Sequence, residues 1–96
     1  MKYLLLGRDA VGIPLLWYEF EGRRYSWPVE PPARLKEAII DWNERMGAII
    51  PTPEMHQPAD LAAMLKALNE EGRALADRLN AEMRGEVEVR YLPEAE

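Results

Sequence analysis

Over residues 58–84, Leu61, Leu65, Leu68, Gly72, Leu75, Leu79 and Met83 recur at steps of three and four. Residues three and four apart lie one above another on an α-helix, so all seven fall on a single stripe. A ridge of leucines has to be buried, and the rest of the chain must supply the layer that buries it. The glycine within the ridge removes a side chain where another element, or a large side chain such as that of Trp42, comes close. The stripe predicts a helix over 59–84, ended by Gly85, about 39 Å long at 1.5 Å per residue.

The chain before this helix divides in two. Lys2 to Leu6 is a short apolar run, Gly7-Arg8-Asp9-Ala10-Val11-Gly12 is a loop between glycines, and residues 13–20 form a second run rich in β-formers. Glu21-Gly22 reads as a tight turn, and residues 23–27 alternate Tyr25 and Trp27 against Arg24 and Ser26. This gives a β-meander over residues 2–27. Pro28, Pro31 and Pro32 stop it, because proline has no N–H for a ladder and suits the first turn of a helix. A first helix over 33–46 follows, with Leu35, Ile39, Trp42 and Met46 on one face and Gly47 as its stop. Pro51, Pro53 and Pro58 make the connector non-helical. After the second helix, Val87, Val89 and Tyr91 alternate with Glu86, Glu88 and Arg90 in a half-buried strand over 86–92.

The expected fold class is therefore α+β, a two-layer sandwich in the order βββααβ. Its sheet would be four-stranded and mostly antiparallel, with both helices on one face and the last strand beside the first. At 96 residues this is one domain with one core. Hydrophobic residues at 48% and charged residues at 30% fit a globular chain and exclude a disordered one. No apolar run reaches the roughly 18 residues that span a bilayer, and Met1-Lys2-Tyr3-Leu4-Leu5-Leu6-Gly7-Arg8 is charged too soon for a signal peptide, so the expected location is cytoplasmic, without membrane contact.

Charge and cysteine content narrow the chemistry. The net charge of −5 belongs to the second half, since residues 1–48 hold seven basic and seven acidic side chains and residues 49–96 hold five and ten. Nucleic acid would need the opposite sign, whereas a basic protein partner would be drawn in faster. With no cysteine there are no disulfides, thiolate nucleophiles or cysteine-based metal sites.

The remaining candidates for chemistry each have a plainer reading. His56 is the only histidine, in Glu54-Met55-His56-Gln57-Pro58-Ala59-Asp60, and this spacing matches no zinc pattern. Ser26, the sole serine, lacks the flanks of a nucleophile elbow. Glu70-Glu71 and the pair Glu86 and Glu88 sit at solvent-facing positions rather than in an apolar cleft. Arg23-Arg24 pairs naturally across the hairpin with Glu19 or Glu21, and the Gly7–Gly12 loop joins strands without opening a helix, which rules out a phosphate loop. No catalytic residue, cofactor or metal is expected.

What is left over is a surface. Residues 13–20 are apolar on both faces, as are Tyr3 and Leu5 against Leu4 and Leu6. Two helices cover one side of a sheet, so the other side keeps apolar area, which either marks an interface or is capped by the chain's own loops. Five of the eight aromatic residues, Trp17, Tyr18, Phe20, Tyr25 and Trp27, fall in the second and third expected strands. They are the candidate interface, because aromatic side chains supply most of the anchoring at interfaces.

Trp42-Asn43, Glu71-Gly72-Arg73-Ala74-Leu75-Ala76 and Val87-Glu88-Val89-Arg90-Tyr91 resemble a pattern in small bacterial proteins of the toxin-immunity type, over roughly the last two-thirds of the chain. That resemblance implies no catalytic residue. The same pieces also have packing roles, with Trp42 filling the core and Gly72 admitting a neighbour. The function expected is a non-enzymatic protein-interaction module, homodimeric or bound to another protein, of the immunity-type inhibitor kind with a basic partner. The alternatives are a small accessory or regulatory subunit of an enzyme complex, or a ligand-binding domain whose site has no sequence signature.

Overall fold

The structure, a computed structural model, describes residues 2–9, 14–17, 27–49 and 60–94. Two strands come first, β1 (Lys2–Leu6) and β2 (Leu15–Trp17). Two helices follow, α1 (Ala33–Ile49) and α2 (Leu61–Glu82), and β3 (Val87–Tyr91) closes the order. The strands form one sheet in the order β2-β1-β3. β1 is central, antiparallel to β2 with Leu4 opposite Trp17, and parallel to β3 with Leu4 opposite Val89.

This mixed sheet corrects the expected four-stranded, mostly antiparallel one and with it the order βββααβ. Among the described residues the sheet has three strands, and its longer pairing, β1 with β3, is parallel. The cause lies in where α2 delivers the chain. The 22-residue helix ends at Met83, whose N–H donates to the Leu79 carbonyl at 2.9 Å, and Gly85 takes the left-handed conformation (φ 86°) in the turn that follows. The chain arrives beside the start of β1, where the Lys2 N–H donates to the Glu86 carbonyl at 2.9 Å, so both strands begin at the same end. Trp27, the expected end of a third meander strand, is not in a strand; residues 23–26 lie outside the described residues.

The helical stripes bury as their spacing requires. From α1, Leu35, Ile39, Trp42 and Met46 are fully buried, and from α2, Leu65, Leu68, Leu75 and Leu79 join them, with Leu61 half-buried. They meet Leu4, Leu6, Leu15, Val87 and Val89 from the inner face of the sheet. α1 runs on through Gly47 to Ile49, so Gly47 is not a stop. Glycine ends a helix when it turns left-handed; at an exposed helical position it costs only about 1 kcal/mol relative to alanine.

Gly72 does what its place in the stripe implies. A Cβ there would collide with the Tyr91 ring and the Trp42 indole. These two rings meet edge to face, centroids 5.8 Å apart and planes at 67°, and the Trp42 indole N–H donates to the Leu68 carbonyl at 2.8 Å. The glycine lets both aromatics lie against the α2 backbone, so one missing side chain ties α1, α2 and β3 together.

Candidate functional site

The outer face of the sheet is set by the pleat. Successive side chains of a strand alternate sides, so with Leu4, Leu6, Val87 and Val89 buried inward, Tyr3 and Leu5 of β1 and Glu88 and Arg90 of β3 belong to the opposite face. Tyr3 is 56% exposed and Leu5 half-buried; Glu88 and Arg90 are exposed. The register sets Tyr3 beside Glu88 and Leu5 beside Arg90. An apolar row on the central strand is thus bordered by an acid and a base on the outer one, and neither helix covers it.

The outward edge of β3 is closed at its middle by a side chain. Asn80 of α2 accepts from the Val89 N–H at 2.8 Å and donates to the Val89 carbonyl at 2.9 Å, occupying both groups that would otherwise face away from the sheet. Asn69, three turns earlier on α2, does the same for Glu94: it accepts from the Glu94 N–H at 3.0 Å, donates to the Glu94 carbonyl at 2.9 Å and takes the Tyr91 hydroxyl as a further donor. Asn43 of α1 holds Asp9 in the same two-way manner, at 2.8 and 2.9 Å. These are all three asparagines of the chain. Each presents an amide that pairs with a peptide group as a neighbouring strand would.

Of the expected interface residues, Tyr18, Phe20 and Tyr25 lie outside the described residues, as do His56 and Ser26. Trp17 ends β2, its backbone opposite Leu4. Trp27 is half-buried against the core, with the Lys36 ammonium 5.1 Å from its ring centroid, and Lys36 also pairs with Glu30 at 2.8 Å. Tyr3 was not among the candidates, although the Tyr3/Leu5 against Leu4/Leu6 pattern placed it on one face of its strand; its exposure depends on which face the helices cover.

Some of the charged groups pair or stack within the fold. Arg45 of α1 bridges Asp41 at 2.8 Å and grips both carboxylate oxygens of Glu71 on α2. Its pKa is raised, chiefly by the hydrogen bond to Glu71 and further by Asp41, against an opposing effect of desolvation. Arg73 lies over the Tyr91 ring, 5.6 Å from its centroid. Glu70, Glu86 and Glu88 are exposed, and among the described residues no group of three or more acidic or histidine side chains is placed to hold a metal. A hollow lined by Lys2, Val29, Glu30, Met83, Gly85 and Glu86 lies near the start of the sheet. No described helix is long and apolar enough to cross a membrane. No protein-family model, curated protein or solved structure matches the chain.

Proposed function

We propose that this chain is a non-enzymatic protein-interaction module that binds through the outer face of its sheet, in the manner of an immunity-type inhibitor meeting a basic partner. One observation carries the reading: Tyr3, more than half exposed, stands beside half-buried Leu5 on the central strand of a face that neither of the described helices covers. A tyrosine buries a large area with few rotatable bonds to freeze, which suits it to anchor a contact. The choice of a basic partner is supported by the net charge of −5. Such a charge speeds encounter more than it tightens the final complex.

The test is capture from a native lysate with immobilised wild type and with Tyr3→Glu, the helical content of both checked by circular dichroism. A partner that the wild type retains, that is released by salt and that the variant loses is the expected result. Equal retention by the variant would refute binding through this face.

A further inference from the structure

The uncovered face can be laid on a copy of itself so that both of its rows are matched at once. Leu4 stands opposite Val89. A line across the sheet at their height passes midway between Tyr3 and Leu5 on β1 and midway between Glu88 and Arg90 on β3. A half turn about an axis parallel to that line, just above the sheet, stacks two copies face to face with β3 antiparallel to β3. Tyr3 then lies over Leu5 of the other copy, Leu5 over its Tyr3, Glu88 over its Arg90 and Arg90 over its Glu88. A two-fold contact always repeats each pair in reverse, so a surface fits itself only where both members are complementary.

Here both pairs are: ring on aliphatic chain along the central strand, acid on base along the outer one. Stacked sheets stand about 10 Å apart, a gap that a glutamate and an arginine reach across together. The apolar row lies at the centre and the charges at the rim, as in protein interfaces generally. Among the described residues Glu88 and Arg90 have no ion-pair partner in their own chain. Asn80 meanwhile occupies the outward peptide groups of Val89, which leaves the face rather than this edge as the route to self-association.

We propose that this face is the interface of a two-fold homodimer, held at its centre by Tyr3 on Leu5 and set in register by reciprocal Glu88–Arg90 pairs. The proposal rests on the reading of the face as a protein-binding surface and adds a second copy of the chain as an occupant that competes with the basic partner for it. Among the described residues the face spans three short strands, a patch smaller than the roughly 800 Å² per partner of a stable interface, so the dimer is weak, with dissociation in the micromolar range or above.

Sedimentation equilibrium from micromolar to millimolar concentration tests it at low salt. Wild type is expected to dimerise. Glu88→Arg and Arg90→Glu each set like charges against one another twice, and each alone should weaken dimerisation about tenfold. An equimolar mixture of these two variants should associate again as a heterodimer, and the double exchange E88R/R90E should restore the homodimer. Recovery in the mixture also shows that each variant is folded. A wild type that stays monomeric at millimolar concentration, single variants that dimerise as the wild type does, or a mixture that gains nothing would each overturn the proposal. The proposed function is judged separately, by whether Tyr3→Glu loses the partner captured from lysate, so failure of the dimer and failure of that reading are distinguishable.

Discussion

The inner and outer faces of the sheet come from the same strands, yet they are written differently in the sequence. On β3 the two faces are spelled out: Val87 and Val89 are buried, and Glu88 and Arg90 between them are exposed. On β1 the run Tyr3-Leu4-Leu5-Leu6 is apolar throughout, although only Leu4 and Leu6 are fully covered. An outer strand with one wet face carries a polar row there. The central strand instead keeps apolar side chains on its uncovered side, which folding alone does not require. The difference teaches where to look for a binding surface: at an apolar residue retained on a face that the strand next door has made polar.

That contrast can be broken in order of expected effect. Leu79→Ala opens a cavity in the layer between α2 and the inner face, and should lower stability in a denaturant titration by about 2–5 kcal/mol. A loss well under 1 kcal/mol would mean that the stripe is not the core. Asn80→Ala tests the boundary between the faces, because it leaves the Val89 N–H and carbonyl without their partner. It should cost about 1–3 kcal/mol and speed amide hydrogen exchange at Val89; unchanged exchange would show that the clamp does not hold the strand. Tyr3→Ser on the outer face should shift the midpoint least, within about 0.5 kcal/mol for the monomer. A larger loss would place Tyr3 in the folding core and remove it as a surface anchor.

The helices were the most legible part of the chain, since Leu35, Ile39, Trp42 and Met46 on one and the leucine stripe on the other state their faces directly. Gly72 was legible too, as a gap on a buried ridge, and Trp42 was correctly named as a neighbour; Tyr91 was not. The pairing sense of β3 was hidden. Alternation of Val87 and Val89 says which face is buried and is silent about direction, which is fixed by the end of the sheet to which α2 returns the chain. Gly47 misled because a helix passes through glycine unless the backbone turns left-handed there. The asparagine clamps went unseen because asparagine in a helix looks like ordinary surface polarity. A signal was present: Asn69 and Asn80 each follow a buried leucine and lie three turns apart, on the same side of α2. Of the aromatic cluster, Tyr18, Phe20 and Tyr25 lie outside the described residues, so the surface here stands on Tyr3 and Leu5.

Asn80 has a consequence for how this protein behaves when crowded. A strand with bare peptide groups along one side is a template on which identical strands polymerise, and Val-Glu-Val-Arg-Tyr is rich enough in β-formers to be one. A single amide, presented from a helix and satisfied in both directions, makes Val89 useless as a growth point for fibrils without adding charge or proline to the strand. Loss of that side chain should therefore show itself as insolubility on prolonged storage as well as in the unfolding midpoint.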